Sequence, residues 1–308
     1  MTDQTSRYPL SPEVRALRPG TLWKKIVDRS HQAIDCGAIQ AIDTEQRCLE
    51  DHGVVFMLRV VSALTRKERE RRTHQSKPVT ERPNPFLPPE PALLVAAVSD
   101  THLAVLNKFN VIDHHLLIVT HRFEHQETLL DEHDFDAWWR CLGEYPSLGF
   151  YNGGTVAGAS QLHKHLQLVP LPLLNRGPRI PVEPLLPPTS PVGQIMVCDR
   201  LPFRHAFVRL DPQSMEPIEL VSLYRELLAK SGIHATQRRG GIYQSGPYNL
   251  LIIREWMLLV PRRKECFDAV SINGLGFAGS LFVKNRQQAR NIVLHGPMAV
   301  LRRVAFAV

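Results

Sequence analysis

The stretch that decides the fold is YNGGTVAGASQLHKHLQLVP, residues 151–170, in which a glycine-rich segment runs directly into alternating polar and apolar residues. Successive side chains of a β-strand point to opposite faces, so His163, His165 and Gln167 share one face. Lys164, between the two histidines, points to the other face. Three polar groups on one strand face indicate either a solvated surface or a chemical site, and the surrounding sequence has to separate these interpretations.

A zinc site is a competing interpretation of the His-x-His pattern, because two imidazoles on one strand face can bind the same metal. Zinc needs three or four ligands, Gln167 is a poor one, and the other histidines cannot be placed from the sequence. The five cysteines are far apart, without a Cys-x-x-Cys pair: Cys36, Cys48, Cys141, Cys198 and Cys266. We therefore expect no bound metal and no disulfide framework, and interpret the cysteines as reduced thiols.

The glycine-rich segment favours a phosphate site. Asn152-Gly153-Gly154 and Gly158-Ala159-Ser160 leave backbone amides unscreened by side chains, and such amides bind phosphate oxygens. Glycine-rich segments are also ordinary turns, so this one carries weight only beside His-x-His-x-Gln. The combination indicates chemistry on a phosphate group.

Composition limits the class of protein. With 308 residues and 44% hydrophobic residues, the chain is globular and long enough for one large domain or two small ones. No apolar run reaches the roughly 18 residues that spanning a bilayer requires, and the N-terminus lacks the apolar region of a secretory signal. We therefore expect a cytoplasmic protein with no membrane partner.

The charge balance favours a polyanionic partner. There are 37 Lys and Arg residues against 30 Asp and Glu, a net charge of +7, which does not distinguish nucleic acid from nucleotide phosphates. The run RKERERR, residues 66–72, is typical of a solvated helical face, and no RNA-binding motif accompanies it. We do not expect nucleic acid as a partner.

Hydrophobic periodicity predicts alternating helices and strands. Helices are predicted over residues 11–35, 131–144, 219–230 and 286–294. Strands are predicted in ALLVAAVS, HLAVLNKFNV, HHLLIVTH, QLHKHLQLVP, YNLLIIRE and WMLLVPR, and near residues 194–210. The expected fold is α+β, with a mainly antiparallel sheet and helices packed against it.

Two proline-rich tracts, residues 77–91 and 170–191, cannot form helix interiors or central strands, so they predict connectors. The predicted divisions are an N-terminal segment, a catalytic core, a proline-rich connector and a C-terminal segment that completes the same globular unit. Their bounds are residues 1–80, 81–175, 176–212 and 213–308.

Residues 151–170 resemble the active-site segment of the diadenosine tetraphosphate (Ap4A) phosphorylases, also called ATP adenylyltransferases. This is a branch of the histidine-triad superfamily in which glutamine replaces the third histidine. Further stretches similar to that family, together covering most of residues 84–303, are NPFLPPEPALLV, LNKFNVIDHHLLIVT, YNLLIIREWMLLVPR and SINGLGFAGSLFVKN. The resemblance implies a histidine-triad-like fold.

The resemblance also implies a nucleotidyltransferase that converts Ap4A and inorganic phosphate reversibly into ATP and ADP. A neutral imidazole at His165 would attack the α-phosphorus, carry AMP and pass it to phosphate. His163 would help hold the His165 tautomer, and Gln167 would hydrogen-bond the transferring phosphoryl oxygens. No tightly bound cofactor is implied, although Mg²⁺ can accompany the nucleotide phosphates.

By family position, six further residues would bind nucleotide or phosphate: Asn107, Lys108, Asn152, Gly158, Ser160 and Lys284. Lys284 could equally be a solvated strand cap, and Asn107 a turn residue. Residues 1–80 carry no clear family signature, so no phosphate-binding lysine is assigned there, Lys67 included.

Two other functions stay open. A hexose-1-phosphate uridylyltransferase relative would share His-x-His-x-Gln, but it usually has proline between the histidines, where this chain has Lys164. A nucleotide-binding or RNA-binding module without catalysis would leave no room for phosphate at His165, or would carry a long basic stripe.

Overall fold

The computed structural model describes residues 16–61 and 83–308. Within these ranges helices pack on a mainly antiparallel sheet, so the α+β prediction is confirmed. Lys67 and the run at residues 66–72 lie outside the described residues. In the described parts of the chain, every helix is too short or too polar to cross a bilayer.

The elements alternate along the chain. The described helices are α1 (Leu22–Asp35), α2 (Glu132–Leu142), α3 (Pro217–Lys230), α4 (Gly274–Phe277), α5 (Arg286–His295) and α6 (Pro297–Val304). The described strands are β1 (Thr44–Asp51), β2 (Val54–Val61), β3 (Leu94–Ala97), β4 (His102–Leu106), β5 (Leu116–Thr120), β6 (Ser147–Gly153), β7 (His165–Pro170), β8 (Ala206–Arg209), β9 (Ala235–Arg238), β10 (Gly241–Gln244), β11 (Tyr248–Ile253), β12 (Trp256–Pro261), β13 (Cys266–Phe267), β14 (Val270–Ser271) and β15 (Ser280–Val283).

Among the described residues, eight strands form the central sheet in the order β3-β4-β5-β7-β6-β11-β12-β8. Every neighbouring pair in it is antiparallel. β7 lies between β5 and β6, and β11 from the C-terminal part of the chain pairs with β6. The sheet therefore runs through both halves of the sequence with β7 at its centre.

The two faces of this sheet are buried against different layers. α2 and α3 cover one face, where Phe135, Trp138 and Tyr224 pack with Leu166 of β7. The other face packs against the C-terminal helices and carries Phe150. Because both faces are covered, β12 is a continuous apolar run and β11 is apolar except for Asn249, so neither strand alternates with polar residues.

A smaller sheet contains β15, the strand directly before the predicted site residue Lys284. β1 and β2 form a hairpin, and β15 pairs with β2 in parallel. This pairing joins the described N-terminal hairpin to the C-terminal segment 269–288, close to the predicted site. The hairpin and α6 were not predicted.

The boundaries of several predicted elements differ from the structure. The helix predicted over residues 11–35 begins at Leu22, because Gly20 has a φ of +76° and the Glu144 carboxylate caps the main-chain N–H groups of Gly20 and Leu22. Residues 11–15 lie outside the described ranges. The other three predicted helices are confirmed, with ends shifted by a few residues.

The strand predicted in QLHKHLQLVP begins only at His165. Residues 162–164 pair instead with residues 124–126. The first part of the predicted glycine-rich loop belongs to β6, which ends at Gly153. The divisions proposed at residues 80, 175 and 212 stay a prediction.

Candidate active site

A cavity of about 270 Å³ lies between the central sheet and residues 269–288. Seven of the nine predicted site residues line it: Asn107, Asn152, Gly158, Ser160, His165, Gln167 and Lys284. They come from β6, β7, the glycine-rich loop, the turn after β4 and the end of β15. Lys108 and His163 lie outside the described lining.

The tautomer of His165 is set by the main chain. Its Nδ1 lies 2.8 Å from the carbonyl oxygen of His163 and donates to it, so Nε2 keeps its lone pair. The side chain is buried, and this burial lowers the pKa of His165 below 6.5, against a smaller opposing effect of the carbonyl. His165 is therefore a neutral imidazole with a nucleophilic nitrogen.

The imidazole of His163 has other partners. Its Nε2 donates to the carbonyl oxygen of Thr120 at 2.9 Å, and its Nδ1 accepts from Nδ2 of Asn84 at 2.9 Å. Burial lowers the pKa of His163 to about 4, so this ring too is neutral. The main-chain carbonyl of His163, and not its side chain, therefore holds the His165 tautomer. The two hydrogen bonds of the His163 imidazole hold residue 163, and with it this carbonyl, in position.

Gln167 is oriented through two neighbours. Asn107 donates from Nδ2 to Nδ1 of His115 at 3.1 Å, and Nε2 of His115 donates to Oε1 of Gln167 at 3.1 Å. Because the oxygen of Gln167 is engaged in this way, its NH₂ group remains for a ligand in the cavity. His115 also lines the cavity, a position that the sequence did not predict.

Asn152 is fixed from the C-terminal part of the chain. Its Oδ1 accepts from Nδ2 of Asn249 at 2.8 Å and from the main-chain N–H of Gly274 at 2.9 Å. Asn249 is buried, and its own Oδ1 accepts from the buried Arg262 at 2.6 Å. Burial lowers the pKa of Arg262 to about 10. The NH₂ group of Asn152 is therefore the end of this amide available to a ligand.

The glycine-rich loop allows close packing of a neighbouring segment, and most of its described main-chain N–H groups are not available to a phosphate. Gly158 has a φ of +93°, and a Cβ there would lie 2.8 Å from Cβ of Asn273, so only glycine lets the segment before α4 approach. The amides of Gly154, Ala157, Gly158 and Ala159 bond to carbonyls within residues 152–155. The prediction of open amides is therefore wrong at Gly154, Gly158 and Ala159, three of the six positions it named.

The two predicted lysines differ in position. Lys284 is exposed and lines the cavity. The ammonium group of Lys108 lies 2.9 Å from a carboxylate oxygen of Glu90, and the two side chains form a half-exposed ion pair. The structure does not bring Lys108 to the cavity.

The opposite face of the sheet holds an ion cluster around the buried Lys164, with Asp134 and His102 buried and Glu124 partly exposed. Lys164 lies 2.9 Å from Asp134 and 2.8 Å from Glu124, and His102 lies 3.0 Å from Asp134. Burial alone would raise the pKa of Asp134, but Lys164 and His102 lower it to about 2. Burial alone would lower the pKa of Lys164, which the two carboxylates raise above its usual range.

Sequence reasoning missed Asn84, His115 and Asn249. Asn84 and His115 lie in stretches already noted as similar to the Ap4A phosphorylases, so the signal was present but gave no role. Asn249 is a polar residue inside the apolar run YNLLIIRE, and that interruption was the available signal. A buried amide in a central strand needs a partner, and here the partner is Asn152.

A mainly antiparallel sheet that presents His-x-His-x-Gln beside a glycine-rich loop defines a nucleotide-phosphate site of the histidine-triad class. Family profiles match almost the whole chain: the Ap4A phosphorylase N-terminal domain over residues 12–188 and the ATP adenylyltransferase C-terminal domain over residues 199–307. The chain belongs to the Ap4A phosphorylase family. It is accordingly an enzyme, a nucleotidyltransferase.

Similar proteins include two from Saccharomyces cerevisiae. Protein APA1 is 28% identical over 298 residues, covering 87% of this chain and 88% of that protein. Diadenosine 5′,5‴-P1,P4-tetraphosphate phosphorylase 2 is 26% identical over 312 residues, covering 88% and 90%. The crystal structure of yeast Ap4A phosphorylase Apa2 has the same fold, with a TM-score of 0.77, 22% identity and coverage of 94% of this chain and 99% of that chain.

Proposed function

We propose that the chain catalyses the reversible phosphorolysis of Ap4A, in which Ap4A and inorganic phosphate yield ATP and ADP. The observation that carries the proposal is the bond from Nδ1 of His165 to the carbonyl of residue 163, which leaves Nε2 as the nucleophile of a polar cavity. The relatives support the substrate: one is named a diadenosine tetraphosphate phosphorylase, and a second crystal structure of Apa2 is in complex with Ap4A.

The reaction takes two displacements at the same phosphorus. In the first, Nε2 of His165 bonds to the α-phosphorus of Ap4A, the bond from that phosphorus to the bridging oxygen breaks, and ATP leaves with the electron pair. In the second, an oxygen of inorganic phosphate attacks the same phosphorus, the P–N bond breaks, and ADP forms. His165 ends as the neutral imidazole with which it began.

The charge of the cavity suits an anionic substrate. Of the described residues that line it, none is Asp or Glu. Gln167, Asn152 and Ser160 offer neutral hydrogen-bond donors, and Lys284 adds a positive charge at its edge. Because ATP leaves as a stable anion, the transition state needs these donors more than it needs a general acid.

Gln167 explains why phosphate and not water is the acceptor. A neutral amide can donate to phosphoryl oxygens but cannot act as a base near neutral pH, whereas a histidine in its place could activate water. Phosphate arrives with its own nucleophilic oxygen, so it needs no base. We therefore assign Gln167 to positioning the transferring phosphoryl group.

The test is the set of products formed from Ap4A at increasing phosphate concentration, separated by chromatography. We expect ATP and ADP with phosphate and almost no turnover without it. Gln167→His should raise the share of AMP among the products, because hydrolysis of the AMP-enzyme becomes possible. Formation of AMP and ATP by the wild type at zero phosphate, as fast as ADP and ATP with phosphate, would make the protein a hydrolase.

We also propose that no cofactor is tightly bound and that Mg²⁺ enters with the nucleotide phosphates. A cytoplasmic location is consistent with the five free cysteines, of which Cys36 and Cys48 are exposed. Nothing favours the uridylyltransferase alternative, since Lys164 stands in place of the usual proline and has a structural partner in Asp134.

A further inference from the structure

Strand β7 changes its neighbour at His165. On one side, β6 pairs with β7 from Ser147 opposite Pro170 as far as Phe150 opposite Gln167. Before His165, the chain pairs with residues 124–126 instead: the N–H of Gln126 donates to the carbonyl of Leu162 at 2.7 Å. His165 therefore lies where two neighbouring segments meet and the regular ladder is interrupted.

The side chain of Gln126 closes this interruption. Its Oε1 accepts from the main-chain N–H of His165 at 2.9 Å. Its Nε2 donates to the carbonyl of Asn152 at 3.0 Å, and a longer contact of 3.4 Å reaches the carbonyl of His165. The residue is 1% exposed. A single amide thus replaces the ladder bonds that β6 would have supplied, and ties His165 to Asn152.

The segment that carries Gln126 is itself held in place. The hydroxyl of Tyr151, in β6, donates to the carbonyl of Gln126, and the N–H of Lys164 donates to the carbonyl of Glu124 at 2.8 Å. The main chain of Gln126 and both polar atoms of its side-chain amide are therefore held by hydrogen bonds to neighbouring segments. Because the amide is held in this way, its bond to the N–H of His165 fixes the position of that main-chain group.

We propose that Gln126 is a positioning residue for the reaction, holding His165 so that its Nε2 meets the α-phosphorus in line. This inference rests on the nucleophilic role proposed for His165. Without the amide, the N–H of His165 would be buried and unpaired, so the main chain there would shift to find a partner. The carbonyl of Asn152 would lose one of its two donors, since the N–H of Gly154 also donates to it at 2.9 Å. Misplacing a reacting group by about 1 Å can lower a rate about 10²-fold.

Replacing the amide with a carboxyl group gives a test that pH can reverse. In Gln126→Glu, the protonated carboxyl accepts from His165 and donates to Asn152, as the amide does. Once ionised, the carboxylate can still accept from the His165 N–H, but its other oxygen can only accept and faces the carbonyl oxygens of Asn152 and His165. Burial raises the pKa of this carboxyl. The readout is the single-turnover rate constant for formation of the AMP-enzyme from Ap4A, divided by that of the wild type at each pH.

We expect this ratio to fall at least 10-fold as the pH rises and the introduced carboxyl ionises, with little change in the KM for Ap4A. Gln126→Met, of similar length but without either hydrogen bond, should be about 10²-fold slow at every pH. If that variant fails to fold, the pH profile of Gln126→Glu still decides. A ratio that stays constant with pH, whether near one or far below it, would overturn the inference.

Gln244 provides a matched control. It is buried like Gln126, and its Nε2 donates to the carbonyl of Gly153 at 2.6 Å, one residue beyond Asn152. Its Oε1 has no hydrogen-bond partner in the described structure. Gln244→Glu should therefore lose stability but show no pH-dependent fall in the ratio. An equal fall in that variant would overturn a specific role for Gln126.

The two proposals fail in different ways. Absence of AMP on His165 in the wild type would refute the proposed function. If the wild type forms that intermediate and Gln126→Glu matches it at every pH, only the role of Gln126 is refuted.

Discussion

The two faces of one short segment, residues 163–167, use buried polar groups in opposite ways. On the cavity face, His165 and Gln167 are neutral, and burial keeps the pKa of His165 below its ordinary value. On the other face, Lys164 forms an ion pair with Asp134, and the pKa shifts of the two groups, upward for Lys164 and downward for Asp134, keep both charged. Alternation along this extended segment therefore separates the groups that react from the groups that only stabilise its position.

The difference follows from what each face encloses. The side chains of Lys164 and Asp134 are each 1% exposed, so their opposite charges must neutralise each other within the protein, and only Glu124, at the edge of the cluster, reaches solvent. The cavity face is built to receive a ligand that brings its own negative charges, so its groups donate hydrogen bonds and remain neutral. Substitutions on the two faces should therefore affect different measured quantities, activity on one and stability on the other.

His165→Asn should have the largest effect. It removes the nucleophilic nitrogen and should lower kcat for Ap4A phosphorolysis by about 10⁴-fold or more, the scale seen when a nucleophile is removed. His163→Asn should cost less, about 10²-fold, because it displaces the carbonyl that orients His165 without removing a reacting atom. Steady-state kinetics on folded variants provide the check, and equal losses would contradict this division of roles.

Asp134→Asn should instead destabilise the protein. It breaks the buried pair with Lys164, which typically costs about 3–5 kcal/mol. Urea unfolding would measure the loss. Asp136→Asn on the same helix, α2, is the matched control, because its partner Arg140 is exposed and such pairs contribute about 0–1 kcal/mol. Similar losses from both substitutions would contradict the contrast between the buried cluster and the surface.

The pH dependence of the first step should reflect the lowered pKa of His165. A group with a depressed pKa stays neutral as the pH falls below 6.5, so the nucleophile persists where an ordinary histidine would be protonated. The midpoint at which single-turnover formation of the AMP-enzyme from Ap4A declines toward acid pH should lie below 6.5. A midpoint at 6.5 or above would show that burial does not tune His165.

Lys108→Met should have the smallest effect. The Lys108 ammonium is directed to Glu90, and both side chains are partly exposed, so the ion pair contributes at most about 1 kcal/mol. We expect less than a twofold change in kcat/KM for Ap4A. Lys284→Met, at the edge of the cavity, should raise the KM by a larger factor. A larger effect from Lys108→Met than from Lys284→Met would indicate that Lys108 contacts the nucleotide.

Local patterns in the sequence were sufficient for the parts of the site that a single strand carries. Alternation over residues 163–167 placed His165 and Gln167 together, and helical periodicity located α2, α3 and α5. The strand nevertheless begins four residues later than predicted, because residues 162–164 pair with residues 124–126. A change of strand partner leaves no periodic signal in either segment.

The contacts that orient the site could not be predicted, because they join distant parts of the chain. Asn249 reaches Asn152, His115 reaches Gln167, and Gln126 reaches His165, across sequence separations of 97, 52 and 39 residues. The glycine-rich loop was interpreted as a set of open amides, but several of them are used within the loop. Turn hydrogen bonds depend on φ and ψ, which residue types restrict without fixing.

The most direct test of the central claim is to trap AMP on His165. Brief mixing of the wild type with α-labelled Ap4A, without phosphate, should leave an acid-labile and base-stable label that peptide mapping places on His165. Added phosphate should then release the label as ADP. A label on another residue, or release as AMP at the same rate without phosphate, would contradict the account.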